Sequence, residues 1–570
     1  MNVFERVVGG KRYRIASQSL WDSARRRPFA RQTVLGPADP PPVADLAQIR
    51  TVGTRRVGDV GALLWVAEQI ELIKRIDEAC GCGEPSAGPT IGELVLAVAV
   101  QRACAPSAKC HLSSFLASCV PRVSCLPASA FTGQTFHRLA SRLSAQQMES
   151  AQIAIARAAA AKFDLSTDVL AFDTTNFDTH IATTTPGELA RRGHAKSKRS
   201  DLRVVGLAVL VSETGHVPLL HRTYPGNGSD QSVLGDCLKA LGQLHEALDD
   251  AEHRHPGCRT LVRDGGSWSE QLELDLDVEG YYSLISLPLS HSASQWALEQ
   301  AAQRGAMRPL GGKLGEVRAA RLRNRVGELD RTLIVVESQE LLRGQKRGIA
   351  LALGKAKEEL RTLERIAARG RTTREALEDR VRKALRREHL SEFVVAQVSE
   401  CGGRLSLDWH VDSALRRRLE RTRLGRRVLC TDHHNWSTGR IVSAFRGQWN
   451  VEEVFRRAKK GGLVPWGPSY QWADNSLRLH TFATVIGLTL VSLTRLALGS
   501  RQSAVGMMKT LGEVKATLVR VRTKDRGRRP TVMLGPDLSP EQRKAVKRFD
   551  LERWFPSILS SSQPERHHAV

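Results

Sequence analysis

Apolar residues recur at helical spacing through residues 56–162, and this pattern changes near Asp168. The segments VGALLWVAEQIELIKRIDEA and TIGELVLAVAVQRAC carry apolar residues every three or four positions, which predicts helices with an apolar face. The alanine-rich segment SAQQMESAQIAIARAAAAKF follows, and Ser144 stands where it would cap the first turn. We therefore expect a helical domain over residues 56–162.

Short apolar runs that end in polar turn residues begin after Asp168 and predict strands. VLAFDTTNFD indicates a strand that stops near Asp173, and RTLVRDGGSWSE indicates one that ends at Asp264. Between them, LRVVGLAVLVSETGHVPLLHRTYPGN predicts a hairpin that turns at Gly215, and SVLGDCLKALGQLHEALDDAEH predicts a helix. This order predicts an α/β fold with a mixed sheet.

Residues 289–425 interrupt this order with mainly helical material. From Ile349 to Ala367, apolar residues fall at steps of 4, 3, 4, 3 and 4, which predicts a helix with one apolar seam. The predicted parts of the chain are a basic arm with a short strand (Gln32–Leu35) and a linker (1–55), a helical domain (56–162), the first part of a core (163–288), an insertion (289–425), the second part of the core (426–500) and a basic C-terminal region (501–570).

The charge balance points to a polyanionic partner. Lys and Arg number 85 against 60 Asp and Glu, a net charge of +25, so nucleic acid is the first candidate. The N-terminus carries no apolar run of the kind that begins a signal peptide. The most apolar stretch, residues 481–494, is shorter than the roughly 20 residues that a membrane span needs. We therefore expect a buried core helix there, no membrane partner and a cytoplasmic protein.

Carboxylates from separate elements are candidates for a metal site. Asp173 and Asp264 each follow a predicted strand and precede turn residues, a position where α/β sheets expose functional side chains. Carboxylate oxygens are the ligands that Mg²⁺ prefers, and two such ions can clamp the attacking and leaving oxygens of a phosphoryl transfer. The alternative is that both residues only form turns, as isolated Asp residues often do.

A further predicted helix, from about residue 437 to about residue 460, carries the adjacent glutamates Glu452 and Glu453. Glu452 and Lys459 are close to two whole turns apart, so they share a face at about 10 Å. Glu453 points about 100° away, so one glutamate at most shares a site with Lys459. This arrangement would allow the carboxylate of Glu452 to bind a metal ion while the ammonium of Lys459 binds a nearby phosphate. The alternative is a solvated face on which each glutamate pairs with the arginine four residues on.

Two further segments are candidates for DNA contacts. The basic stretch RRGHAKSKRSD follows Asp173, and the net charge favours DNA contact over a merely solvated loop. Its candidate residues are His194, Lys196, Lys198 and Arg199. The stretch PWGPSYQW interleaves aromatic and turn residues, so Trp466 or Trp472 could stack on an unpaired base. Packing as lids on the core is the alternative for both rings.

Four ordered motifs resemble those of the bacterial insertion-sequence DDE transposases with the signature Y-x2-R-x3-E-x6-K. FRGQWNVEEVFRRAK resembles the signature, AFDTTNFD and LVRDGGSWSE resemble the first and second aspartate motifs, and YQWADNSLRLHTFATVIGLTL resembles the core helix after the glutamate. The segment after the first aspartate and RRPFARQTVLG near the N-terminus are also similar. The resemblance covers roughly residues 165–290 and 425–498.

The resemblance implies a ribonuclease H-like mixed-sheet core, interrupted by a mainly helical insertion and preceded by a helical domain that binds DNA. Asp173, Asp264 and Glu452 would be the catalytic residues and would hold two Mg²⁺ ions per active site, which Mn²⁺ could replace. Phe445 and Gln448 stand where the signature has Tyr and Arg, which removes two phosphate contacts. The remaining DNA contacts on this helix would come from Lys459, with Gln448, Phe445 and Arg456 beside it.

The implied activity is cleavage at the ends of the chain's own insertion element and joining of the 3′-OH ends to target DNA. The implied partners are double-stranded DNA, as terminal inverted repeats and as target, and a second copy of the chain in a homodimeric synaptic complex at the bacterial nucleoid. Two alternatives use the same residues differently. One is a metal-dependent nuclease without strand transfer, and the other is a decayed transposase that only binds DNA.

Overall fold

The structure, a computed structural model, shows a mixed α and β chain, as the apolar pattern predicts. The chain divides into two units, the first formed by residues 1–262, 275–281 and 447–570 and the second by residues 263–274 and 282–446. The described residues are 2–22, 27–38, 50–81, 88–252, 259–370, 372–401, 404–520 and 531–554.

The first unit begins with an antiparallel sheet of β1 (Asn2–Val8), β2 (Lys11–Asp22) and β3 (Arg27–Pro37) in that order. The sequence predicted only Gln32–Leu35 as a strand here. Most of β1 is exposed without alternation, so β1 lacks the apolar period of two that would reveal a strand in the sequence. The predicted proline-rich linker lies largely outside the described residues.

The helical prediction for residues 56–162 is confirmed. A strand, β4 (Arg50–Arg56), precedes six helices, and Ser144 caps the last of them by accepting a hydrogen bond from Gln147 N, as predicted. The helices are α1 (Gly58–Gln69), α2 (Leu72–Ala79), α3 (Ile91–Cys104), α4 (Leu112–Ala117), α5 (Gly133–Ala140) and α6 (Ala145–Phe163).

A mixed sheet follows in the first unit, with the strand order β8-β5-β6-β7. Only β5 and β8 run parallel, and the β6–β7 hairpin turns at Gly215 as predicted, with a φ of 75°. The prediction that β5 stops near Asp173 is wrong, because the polar residues after it keep pairing with β6 as far as Thr179. The elements are β5 (Val169–Thr179), β6 (Arg203–Ser212), β7 (Pro218–Pro225), α7 (Asp230–Glu252) and β8 (Arg259–Asp264).

The second unit is built on an antiparallel sheet of order β10-β11-β12-β15-β9. The second unit includes more residues than the predicted insertion, because the strands β9 and β15, which flank residues 289–425, pair with each other. Helix α8 (Glu270–Val278) lies in both units. The other elements are β9 (Tyr281–Leu287), α9 (Ser292–Gln303), β10 (Arg308–Pro309), β11 (Arg318–Val326), β12 (Leu329–Glu337), α10 (Gln339–Ala368), α11 (Arg374–Leu385), β13 (Val394–Cys401), β14 (Arg404–Val411), α12 (Ser413–Thr422), β15 (Arg426–Thr431) and α13 (Thr438–Arg446).

The predicted seam of α10 is buried from Ile349 to Ala367. The predicted helix from about residue 437 to about residue 460 is wrong as a single element, because Gly447 separates α13 from the next helix. The remaining elements of the first unit are α14 (Gln448–Ala458), α15 (Asp474–Leu498), α16 (Ala504–Gly512), β16 (Lys515–Arg520), β17 (Thr531–Leu534) and α17 (Pro540–Arg548).

Helix α15 is the apolar centre of the first unit and packs on α3 and β7. By length and composition it could cross a membrane, and so could the bent pair Ile91–Cys104 and Lys109–Ala117 taken together. In the protein, 78% of the most apolar window of α15 is buried. That burial is what the predicted core helix requires.

Candidate functional site

Asp173 lies in β5 just beyond the point where its parallel partner strand pairs with it. The last register pair between β5 and β8 joins Ala171 to Val262. Asp173 is half-buried, and its Oδ1 accepts a hydrogen bond from Thr174 N at 2.7 Å. The carboxylate therefore lies beyond the carboxyl end of a parallel strand pair, where α/β sheets place functional groups.

Asp264 is the last residue of β8 and belongs to the second unit. It is exposed, and its Oδ1 accepts a hydrogen bond from Gly265 N at 2.9 Å, which caps the turn that follows. The preceding Arg263 is fully buried and forms an ion pair with Glu273. Gly265 is required here, because a Cβ would lie 2.2 Å from Ser286 O. The strand end that carries Asp264 is thus firmly fixed.

The two adjacent glutamates of α14 differ in their partners. Glu453 pairs with Arg456 and accepts a hydrogen bond from Arg457 Nε at 3.3 Å. Glu452 is exposed, and no described residue forms a hydrogen bond or an ion pair with it. The pairing alternative therefore holds for Glu453, whereas Glu452 keeps an unpaired carboxylate.

Helix α14 packs on β5 and β6. Its buried side is mostly apolar but includes Arg457, and at its start Asn450 Nδ2 donates a hydrogen bond to Glu213 O at 3.2 Å. Glu452 and Asp173 are therefore carried by two elements of the same unit that are in direct contact. The proximity of these two elements is a tertiary feature that no sequence spacing encodes.

Lys459 is the residue that caps α14, which ends at Ala458, two residues before the predicted end. Lys459 N still donates to Phe455 O at 3.0 Å, although its own ψ of 168° is extended. Its Cβ therefore keeps the helical register relative to Glu452. Lys459 is exposed, and Gln448 at the other end of the helix is half-buried. A cation at a helix C-terminus is also favoured by the helix dipole.

Two other candidates for DNA contact have aromatic or cationic neighbours. Phe445 belongs to α13 of the second unit, is 6% exposed, and has the Arg427 guanidinium 5.2 Å from its ring centroid. This burial makes Phe445 a core residue. Arg456 is exposed, and its guanidinium lies 5.9 Å from the ring centroid of Trp449.

Trp449 is a candidate contact that the sequence analysis missed. It is 52% exposed and lies one turn before Glu452. The His216 ring meets it edge-on, with centroids 5.6 Å apart. Burial, together with nearby arginines, lowers the pKa of His216 to about 4, so its imidazole is neutral at pH 7. The i, i+3 spacing to Glu452 is the signal that would have found Trp449.

Trp466 is fully buried and stacks on Phe177 of β5, with ring centroids 4.9 Å apart. Its Nε1 donates a hydrogen bond to Thr481 Oγ1 at 2.9 Å, and its carbonyl oxygen accepts one from His480 Nε2 at 2.7 Å. The packing alternative therefore describes Trp466. Trp472, by contrast, is 70% exposed.

The basic loop, residues 191–201, lies beside β5. Lys196 Nζ donates a hydrogen bond to Thr174 O. Asn176 bridges the loop, because its Nδ2 donates to His194 O at 2.8 Å and its Oδ1 accepts from Lys196 N at 2.9 Å. The loop is thus attached to the strand that carries Asp173, and its four candidate residues are exposed.

The charges of the basic loop are not equivalent. Arg199 pairs with Asp201 through Nε to Oδ1 at 2.7 Å and Nη2 to Oδ2 at 2.5 Å. This pairing raises the pKa of Arg199 and compensates its charge. The ammonium of Lys198 has no hydrogen-bond or ion-pair partner among the described residues. Lys198 therefore offers an uncompensated charge, and Arg199 does not.

Among the described residues, no group of three or more His, Cys, Asp or Glu side chains is arranged to hold a metal ion. Asp173, Asp264 and Glu452 are therefore not gathered as a closed set of ligands. Their chemistry still suits a hard cation, because all three are carboxylates. Glu452 is exposed and unpaired, Asp264 is exposed and Asp173 is half-buried.

No family model matches the sequence, and no curated protein matches it. Among solved structures, the chain is similar to the piggyBac transposase in a cryo-EM structure of its synaptic complex with hairpin DNA. The sequence identity is 11% and the TM-score is 0.36, and the match covers 80% of this chain and 81% of that chain. At this level the similarity does not establish a shared fold.

Proposed function

We propose that the protein is a DDE transposase of the bacterial insertion-sequence branch, with a ribonuclease H-like core. It binds double-stranded DNA, cuts the ends of its own element and joins the 3′-OH ends to target DNA. The contrast on α14 carries the proposal. Glu453 is paired with two arginines, whereas Glu452 is exposed and has no partner among the described residues, on a helix that contacts the strand of Asp173. A helix that served only as a solvated face would gain from pairing both glutamates.

Asp173, Asp264 and Glu452 are the catalytic residues in this proposal and would hold two Mg²⁺ ions, or Mn²⁺ in their place. When bound, the ions would supply activation of the attacking oxygen and stabilisation of charge on the phosphate. Asp173 and Glu452 come from elements in contact, and Asp264 ends the strand that runs parallel to β5. Carboxylates fixed on separate rigid elements are what such a site needs.

Lys459 and the basic loop would hold the DNA backbone. Lys459 caps the helix that carries Glu452, and the loop is attached to the strand that carries Asp173. Lys459 and the loop cations therefore lie next to the elements that carry two of the three acids. Contacts to phosphate fix the position of the DNA without selecting its sequence. Two copies of the chain would bring the two element ends together in the bacterial cytoplasm, at the nucleoid.

Excision from a plasmid tests the proposal. The gene with its native flanking DNA is compared with Asp173→Asn, and junctions across the flanks are amplified and sequenced. Thr175→Val is the matched control, because Thr175 is on the same strand and its buried Oγ1 has no partner among the described residues. We expect junctions from the wild type and from Thr175→Val and none from Asp173→Asn, which should still bind DNA. Junctions from Asp173→Asn would overturn the assignment.

One observation favours a second candidate, a DNA-binding protein without chemistry. No group of three ligands is gathered among the described residues. This candidate predicts equal DNA affinity for the wild type and Asp173→Asn and no junctions from either. A nuclease without strand transfer would instead give excised DNA without joined products. Cleavage by that nuclease, like cleavage by the transposase, would require Asp173.

A further inference from the structure

The segment that leads into the basic loop is held by an acid from a distant helix. Asp474 is the first residue of α15, and its carboxylate accepts hydrogen bonds from Glu188 N at 2.7 Å and from Leu189 N at 3.1 Å. A Cβ on Gly187 would lie 3.2 Å from Asp474 Oδ1, so the fit is close. An acid at a helix start ordinarily binds the amides of its own helix. Here both oxygens bind another segment, and Ala473 at the N-cap provides no side-chain cap.

The middle of the loop is held by β5. The Asn176 side chain bonds to His194 O and to Lys196 N, one as donor and one as acceptor. Two residues further along the strand, Asp178 Oδ1 accepts a hydrogen bond from Ser197 Oγ at 2.7 Å. These bonds satisfy loop backbone and a loop hydroxyl, and Lys198, whose ammonium has no partner among the described residues, remains exposed.

The backbone at the start of the loop is also fixed. Arg191 and Val204 exchange backbone hydrogen bonds of 3.1 and 2.8 Å. Gly193 passes so close to the turn after β7 that a Cβ on it would lie 2.0 Å from Gly226 O. A loop with a fixed backbone and exposed cations loses little conformational entropy when it binds phosphates.

We propose that Asp474 and Asn176 are positioning residues that hold the basic loop in the conformation that binds the DNA backbone. This inference rests on the proposed DNA-binding function. Asp474 carries a negative charge, so its effect on DNA affinity through charge alone is unfavourable. Through positioning its effect is favourable. The two explanations therefore predict opposite signs when its charge is removed.

The test compares Asp474→Asn with Glu188→Gln, and each removes one negative charge. Glu188 is exposed, and its carboxylate has no hydrogen-bond or ion-pair partner among the described residues, although its amide binds Asp474. An Asn at position 474 can accept a hydrogen bond from one of the two backbone amides, but its NH₂ group would face the other amide, so that hydrogen bond is lost. Binding of a fluorescein-labelled duplex of the native flanking DNA is measured by anisotropy over a series of salt concentrations.

We expect Glu188→Gln to bind the duplex as tightly as the wild type or more tightly. Asp474→Asn should bind about tenfold more weakly at 0.1 M salt, with a salt slope smaller by about 1 to 2, because loop phosphate contacts are lost. Asn176→Ala, which leaves the net charge unchanged, should reduce the slope in the same direction. A merely structural role would lower the melting temperature without changing the slope.

Binding by Asp474→Asn as tight as that by Glu188→Gln would overturn this inference and leave the proposed function intact. Failure of the wild type to bind the duplex would instead overturn the proposed function, and the inference with it. If Asp474→Asn is unfolded at the assay temperature by circular dichroism, Asn176→Ala decides, and an unchanged salt slope in that variant overturns the inference.

Discussion

The indole of Trp466 stacks on the ring of Phe177, with centroids 4.9 Å apart and planes 11° apart. Trp466 follows α14, and Phe177 lies on β5, four residues after Asp173. The contact therefore helps to fix the spacing between the helix of Glu452 and the strand of Asp173. An aromatic residue that the sequence offered as a DNA contact instead joins the two elements that carry these acids.

Trp466→Ala should lower the free energy of unfolding by about 3–5 kcal/mol, because it removes a fully buried ring. Urea unfolding followed by circular dichroism measures this change. Trp472→Ala is the control, since that ring is 70% exposed and its loss should cost less than about 0.5 kcal/mol. Equal losses from the two variants would contradict the packing role of Trp466.

The adjacent glutamates of α14 should respond differently to the same substitution. Glu452→Gln should abolish DNA cleavage in the excision assay, because it removes a proposed metal ligand. It should leave the free energy of unfolding unchanged, because the Glu452 carboxylate has no partner among the described residues. Glu453→Gln should destabilise the protein by about 1–3 kcal/mol, because Arg457, whose side chain is 4% exposed, loses its charged partner. A stable, inactive Glu453→Gln together with an active Glu452→Gln would reverse the assignment.

The basic loop should lose phosphate contacts one cation at a time. Lys198→Gln should reduce the salt slope of duplex binding by about 1, because its ammonium is uncompensated. Arg199→Gln should reduce it less, because Asp201 already pairs with Arg199. Anisotropy titrations at several salt concentrations measure both slopes. Equal reductions would show that the Arg199–Asp201 pair opens when DNA binds.

Asp77 should make the stability of the first unit depend on pH. Its carboxylate accepts a hydrogen bond from Gly92 N at 2.7 Å, and burial raises its pKa to about 7. The carboxyl of an unfolded Asp has a pKa of about 4. The folded state therefore binds the proton more tightly, and the stability contributed is present below about pH 4 and is lost as the pH rises through about 7.

Asp77→Asn removes this titration and retains an acceptor for Gly92 N. We expect its free energy of unfolding, relative to that of the wild type, to increase between pH 5 and pH 8. Urea unfolding at the two pH values measures the difference. A difference that does not change with pH would mean that Asp77 titrates alike in the folded and unfolded chains.

The sequence by itself determined the elements whose burial has a regular period. The helices of residues 56–162, the seam of α10 and the β6–β7 hairpin all appear where apolar spacing predicted them, because such spacing records which side of an element is buried. The exposed strand β1 lacks that period and was missed. The break at Gly447 was also missed, since glycine is tolerated within helices.

The tertiary structure alone decided which candidate side chains have partners. Glu452 and Glu453 each have an arginine four residues on, so their sequence contexts are equivalent. Of the two, Glu453 alone has a partner among the described residues, because Arg457 is buried and donates a hydrogen bond to Ser492 Oγ of α15 at 3.2 Å, which directs its guanidinium toward Glu453. Whether Trp466 or Trp472 is buried likewise depends on packing against β5 and α15. Contacts between distant segments follow from the packing of whole elements, which local spacing does not encode.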